Sequence, residues 1–290
     1  MSRGDFKMER GTILTTANNR YEIAECLGRG TQGSVYKARR QDGFTVAIEL
    51  VREYTADALR RLQTEGWTYQ KFDSRFVKLL DWRLDCARPF LVMEFCKHGS
   101  ARTQINYLST WHSVTIPLLA QAAGALEELH KHDLLYRDFK PENLLLTQEG
   151  FGPWIARLGD AGLICASNRF SFPQMTQLAR GTFEYMAPEA LRPGALYTAS
   201  AESFAFGVTA HELLNGTRPA AGSQVAVGPH EIHSLLTRLI AIDPNARPTL
   251  AEVRASLEVA SGNLRQRNIG IAVGLVTLVV IAAIGFSGKK

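Results

Sequence analysis

Cysteine is scarce: the 290 residues hold four (Cys26, Cys86, Cys96, Cys165), with no CxxC and no His/Cys ligand spacing. That excludes a disulfide framework and a metal cage, and fits reduced thiols in a cytosol-facing domain. The opening stretch, MSRGDFKMERGTILTTANN, lacks the apolar region of a secretory signal. Acidic residues are missing from 261–290, where Arg265, Arg267, Lys289 and Lys290 supply four of the five formal positive charges. The rest of the chain is therefore nearly neutral, and nucleic-acid binding gains no support. No internal repeat or low-complexity segment appears, and long apolar runs are absent except for one near the C-terminal end. What is there, 46% hydrophobic and 21% charged, is a globular composition, long enough for one two-lobed domain or two ordinary ones.

The most informative stretch runs from Leu134 to Leu146, LLYRDFKPENLLL, which sets Asp138, Lys140 and Asn143 at fixed offsets between two apolar runs. An aspartate can orient an attacking hydroxyl and accept its proton. A lysine two residues on can hold a phosphoryl oxygen, and an asparagine three further can ligate a hard cation through its amide oxygen. The spacing resembles the [H/Y]-R-D-x-K-x-x-N catalytic loop of eukaryotic protein kinases, with the lysine of the serine/threonine branch. The resemblance implies ATP and Mg2+ as cofactors, Asp138 as catalytic base, Lys140 on the γ-phosphate and Asn143 as a magnesium ligand.

Taken in order, the segment YEIAECLGRGTQGSVYKARRQDGFTVAIELV from Tyr21 alternates apolar positions around an Asp42-Gly43 turn signal, and predicts three antiparallel strands. Gly28, Gly30, Gly33 and Val35 read G-x-G-x-x-G-x-V, where missing side chains let backbone amides approach a triphosphate and Val35 packs on the adenine. Placed inside a hairpin, the pattern is similar to the glycine-rich lid of kinases and not to a dinucleotide-binding turn. The third strand departs from the family's V-A-I-K: it reads Val46-Ala47-Ile48-Glu49, with Ala47 in the expected ATP site and Glu49 where the phosphate-binding lysine belongs. Unit charges about 4 Å apart interact by roughly 4 kcal/mol at an effective dielectric near 20, so the reversal predicts a rate cost on the order of 10³ or more. The lysine's usual partner on the next helix is Glu65, which makes the expected pair like-charged. Period-two alternation places Lys37 on the face of Gly33 and Val35, as a candidate replacement cation.

By the same resemblance, RPFLVMEFCKHG (Arg88 to Gly99) is the strand and link behind the adenine. Met93 is the gatekeeper there, and Glu94 and Cys96 recognise the base through their backbone; Leu145 also belongs to the nucleotide site. IPLLAQAAGALEELH (Ile116 to His130) has the three-and-four spacing of a helix buried on one face. Asp160-Ala161-Gly162 matches D-F-G, with Asp160 as a second magnesium ligand and alanine in place of the aromatic. Ser167, Ser171 and Thr176 are candidate phosphate acceptors in the activation loop, with Arg137 as the residue that would pair with such a phosphate. Gly181-Thr182 resembles the peptide-binding segment of serine/threonine kinases. Glu202 replaces the aspartate that braces the catalytic loop, and Glu189 with Arg247 matches a buried structural ion pair.

Ile269 to Phe286 is an uncharged apolar run of 18 residues between basic flanks, about 27 Å as a helix, and predicts a single membrane span. With the span as the last element, the expectation is a tail-anchored protein whose kinase-like domain faces the cytosol, on the mitochondrial outer membrane, endoplasmic reticulum or another organelle envelope. Gly270 and Gly274 form a G-x-x-x-G through which two such helices would pack as a homodimer.

The reading is an α+β, two-lobed protein kinase-like fold plus one C-terminal transmembrane helix. Residues 1–20 are an N-terminal extension, 21–97 a β-rich small lobe, 98–260 a larger helical lobe, 261–268 a basic linker, 269–286 the span and 287–290 a short tail. Two functions stand open: a membrane-anchored protein serine/threonine kinase acting on a protein substrate, and a membrane-tethered pseudokinase scaffold in which Glu49 has ended catalysis.

Overall fold

Alternation of apolar and polar side chains from Tyr21 onward builds most of an antiparallel sheet. The computed structural model describes residues 8–29, 33–51, 56–72, 75–166, 180–192 and 194–266. Strands β1 (Ile13–Thr15), β2 (Arg20–Arg29), β3 (Gly33–Arg40), β4 (Thr45–Val51), β5 (Leu79–Arg83) and β6 (Phe90–Glu94) lie in the order β1-β2-β3-β4-β6-β5. The Asp42-Gly43 turn joins β3 to β4, with Gly43 at φ +88, a backbone state open to glycine at no steric cost. Strand β1 comes from the segment assigned to the N-terminal extension, and pairs with β2 from Ile13↔Glu22 to Thr15↔Arg20.

Period two divides this sheet into two faces. Tyr36, Ala38, Val46, Ile48 and Leu50 join Tyr21, Ile23, Phe90 and Val92 in a small core on one side. Val35, Ala47 and Glu49 point to the other, where Val35 stands opposite Glu49, and Ala47 opposite Met93. Helix α1 (Ala56–Lys71) covers that second face, turning Leu62, Glu65 and Tyr69 inward at three- and four-residue spacing.

The second lobe is helical. Helix α2 (Ile105–Thr110) leads to α3 (His112–His130), which is buried along most of its length. Two short antiparallel pairs follow: β7 (Leu134–Leu135) with β10 (Cys165–Ala166), and β8 (Leu144–Gln148) with β9 (Trp154–Leu158). Helix α4 (Ala199–Asn215) is buried over nearly every residue and passes behind the loop joining β7 to β8. A Cβ at Gly207 would lie 2.6 Å from that of Leu239, so glycine there lets α5 (His233–Leu239) seat on α4. A last helix, α6 (250–266), packs Val253, Leu257 and Ala260 into the same core.

The Glu189–Arg247 pair forms as the motifs predicted: Arg247 Nη1 and Nη2 donate to the two carboxylate oxygens at 2.6 and 2.9 Å, and the same guanidinium caps the Ser200, Ala241 and Ile242 carbonyls. No helix among the described residues is long and apolar enough to cross a membrane. The predicted span 269–286, with Gly270 and Gly274, lies outside the described residues, as do Gly30 and the candidate acceptors Ser167, Ser171 and Thr176.

Candidate active site

Residues 136–143 connect β7 to β8 and bring together the three polar side chains that the sequence singled out, Asp138, Lys140 and Asn143. Asp138 is buried, and Lys140 Nζ donates to both of its oxygens at 2.8 and 2.7 Å. Asn143 Nδ2 donates to the Asp138 carbonyl at 2.8 Å and to its Oδ2 at 2.9 Å, so the amide oxygen is the atom left for a cation. Tyr136, in the first position of the motif, donates its hydroxyl to the Gly159 carbonyl, and Gly159 N–H returns a bond to the Asn143 carbonyl at 2.9 Å. These bonds tie the catalytic loop to the strand end that presents Asp160.

The loop is braced from below. Phe139 stacks on Phe206 of α4 at 5.3 Å, and Arg137 holds a left-handed φ of 73°. That strained residue donates its N–H to Glu202 Oε1 at 2.7 Å, while Glu202 Oε2 meets His130 Nε2 at 2.7 Å. Glutamate therefore does the aspartate's bracing work, and its longer arm is steadied by a histidine that the sequence reading did not single out. To one side, Arg102 Nε donates to Glu142 at 2.7 Å and its Nη1 to Glu212 at 2.9 Å; Tyr185 donates to Glu212 at 2.6 Å. This network joins the catalytic loop, the segment after Gly181-Thr182 and α4.

Between the lobes lies a cleft of about 820 Å³, within the size range of small-molecule sites. It is lined by Gly28, Gly33, Val35, Ala47, Glu49, Met93, Glu94, Cys96, Leu145, Asp138, Lys140, Asn143 and Asp160, all of them expected. Glu65 stands behind it: buried, accepting from Tyr69 at 3.4 Å and from the Ala161 backbone. Leu27, Tyr69 and Val77 line it too, and were missed because single apolar residues on strands and helices carry no motif. At the inner end Glu94 N–H is taken by the Lys78 carbonyl at 2.9 Å and its side chain by Arg157 at 3.3 Å, so any adenine contact of Glu94 falls to its carbonyl.

The expected like-charge clash takes another form. Burial and the facing Asp160 raise the Glu49 pKa from 4.5 to about 8. Burial, then Glu49 and Asp160, lift the Glu65 carboxyl well above its ordinary value. Removing a carboxylate from water costs more than holding its proton, so protons replace the missing lysine and the charge reversal becomes a charge loss at neutral pH. Lys37 is no substitute: it reaches the cleft side of β3 but pairs with Glu25 at 3.1 Å and lies over Phe95.

Asp160 sits at φ 44° and starts a tight turn whose Ala161 is fully buried against α1. No group of three or more His, Cys, Asp or Glu side chains among the described residues could hold a metal ion. A divalent cation would therefore rest on Asn143, Asp160 and a ligand's own oxygens, a donor set suited to magnesium.

A protein kinase domain model matches residues 21–257. The chain belongs to the protein kinase domain family. Wall-associated receptor kinase-like 3 of Arabidopsis thaliana is 30% identical over 215 residues, 71% of this chain and 28% of its own length. Aurora/IPL1-related protein kinase 2 of Caenorhabditis elegans is 28% identical over 259 residues, 81% of each chain. Ribosomal protein S6 kinase alpha-3 of Mus musculus is 29% identical over 213 residues, 70% of this kinase-domain chain and 28% of the relative. The chain thus spans under a third of the length of several curated relatives it matches.

Proposed function

We propose that this kinase domain transfers the γ-phosphate of ATP, with Mg2+, to serine or threonine of a protein substrate, and that the apolar run 269–286 anchors it in a membrane with the catalytic domain in the cytosol. The observation that carries the catalytic reading is the Asp138 carboxylate held by both Lys140 and Asn143 on the floor of a nucleotide-sized cleft, facing Asp160. In that arrangement Asp138 accepts the proton of the attacking hydroxyl, Lys140 moves from Asp138 to the transferred phosphoryl oxygens, and Asn143 and Asp160 hold the cation. Magnesium, when bound, neutralises the developing charge on the phosphates. Lys140 and Gly181-Thr182 support serine or threonine as acceptor.

A second reading, a membrane-tethered pseudokinase scaffold, is favoured by Glu49 alone, since a neutral carboxyl offers the phosphates no positive charge. Labelled-phosphate transfer from ATP with magnesium, by the full chain in detergent onto itself and a generic basic protein, separates the two. Transfer by the wild type that vanishes in Asp138→Asn supports the enzyme; transfer appearing only in Glu49→Lys supports the scaffold. Resistance of the full chain to alkaline extraction from membranes, lost on deleting 269–286, tests the anchor.

A further inference from the structure

The contacts of α6 fix its direction. Arg247, just before it, donates to the Ser200 carbonyl in the first turn of α4 at 3.1 Å, and Glu202, two residues along, holds His130 at the C-terminal end of α3. Within α6, Arg254 Nε donates to Glu127 Oε2 at 2.6 Å, and a Cβ at Gly124 would lie 3.1 Å from the Arg254 Cδ. Helix α6 therefore runs antiparallel to α3. Ten residues beyond Arg254, about 15 Å at helical rise, Leu264 reaches the level of Val114 in the first turn of α3, and both pack on the same core. The apolar run begins at Ile269, three positions after the last described residue of the helix.

The same end of α3 carries an aromatic face. Trp111 precedes the helix and is more than half exposed; the ring of Tyr107, on α2, lies 6.3 Å from it and 5.0 Å from Trp154, which opens β9. Strand β9 leads away from that end, since the Ala156 N–H donates to Gln121 at 2.9 Å and Leu158 bonds Arg75, whose guanidinium borders Gly124. Trp154 is steadied by stacking on His98 at 4.1 Å. Phe151, in the β8–β9 turn between Gly150 and Gly152, is fully exposed. A phenyl ring held in water at a turn, beside tryptophan and tyrosine rings with an apolar body and a polar edge, has the chemistry of the interfacial layer of a bilayer.

We propose that Phe151, Trp154, Tyr107 and Trp111 form a lipid-facing surface that rests in the interfacial layer of the bilayer spanned by 269–286, with the β8–β9 turn inserted, so that the catalytic domain is held against the membrane in one pose. The inference rests on the membrane anchor proposed above. The chain leaving α6 argues for lipid as the occupant. Three positions reach at most about 10 Å, little more than the depth of the headgroup layer, so the α3 end of the domain stays at the membrane surface. His98, stacked on Trp154, then places the link after β6 on the membrane side.

Tryptophan fluorescence of the full chain in phosphatidylcholine vesicles, with and without bromine on the acyl chains near the headgroup, tests the surface. The chain has four tryptophans, of which Trp67 and Trp82 lie in the small lobe and serve as controls. Bromine should quench the wild type. Replacing both Trp111 and Trp154 by Phe should abolish the quenching, and replacing both Trp67 and Trp82 by Phe should keep it. Phe151→Asp, at a fully exposed position, should leave the melting temperature unchanged and reduce the quenching. A wild type that resists alkaline extraction from the vesicles yet emits equally in both kinds overturns the surface and leaves the anchor standing. Quenching that survives the loss of Trp111 and Trp154, or that Phe151→Asp does not change, overturns it as well. A chain extracted by alkali overturns the anchor, and this inference with it.

Discussion

Glu202 accepts the backbone N–H of Arg137 at 2.7 Å, which fixes the residue just before Asp138 in a left-handed conformation. Glu202 is fully buried, and its other oxygen is held by His130. Glu202→Ala would leave the Arg137 N–H unsatisfied in the core, at a cost of about 1–3 kcal/mol. The expected outcome is a lower melting temperature, and kcat reduced more than KM because the loop that positions Asp138 is released. Glu202→Asp, too short to span His130 and Arg137 together, should fall between alanine and wild type.

Glu49 predicts a pH dependence of nucleotide binding. With its pKa near 8, the carboxyl is largely neutral at pH 7 and becomes a carboxylate beside the phosphates above pH 8. ATP affinity should fall as pH rises through that value, while Glu49→Gln shows no such step; titration of both proteins from pH 6.5 to 9 checks it, flanking that value.

The same group affects stability. Between its ordinary 4.5 and about 8 the folded state keeps a proton that the unfolded chain releases, so stability declines as pH rises across that window and levels off above it. Thermal melts of wild type and Glu49→Gln should diverge over that interval, the glutamine protein losing the slope that Glu49 contributes.

Glu49→Lys should build an ion pair with Glu65 and give the phosphates a cation. ATP affinity and phosphate transfer should both rise, by tenfold or more if about 1.4 kcal/mol is recovered. Steady-state kinetics beside nucleotide titration reads the two effects separately.

Arg247→Ala tests a structural pair. The Arg247 side chain is fully buried and carries two bonds to Glu189, so truncation strands a carboxylate at a cost of about 3 kcal/mol or more. A melting temperature lower by roughly 6–12 °C is the expected readout for a domain of this size.

Most of the site was legible because motif residues act through fixed local spacing. Asp138, Lys140 and Asn143 fall within six positions, and a short loop can bring them together only in a few ways. The strand pattern from Tyr21 was legible for a similar reason: period two sorts side chains onto faces whatever the register. His130 and Arg102 were not legible, because each acts on a partner far along the chain, and no local pattern marks a histidine that will meet Glu202 or an arginine that will meet Glu212. Lys37 shows the converse. Alternation put it on the right face, yet Glu25 and Phe95 direct its ammonium elsewhere.

The sequence by itself determined the two-lobed kinase fold, the catalytic loop and the absence of a third-strand lysine, since each is written in residue identity at short range. Only the tertiary structure decided what that absence means. Whether Glu49 is a repelling charge or a neutral acid depends on burial and on Asp160, which lies more than a hundred positions further along the chain. Dielectric surroundings and long-range charge are properties of the assembled cleft, and the order of residues carries them only through the fold.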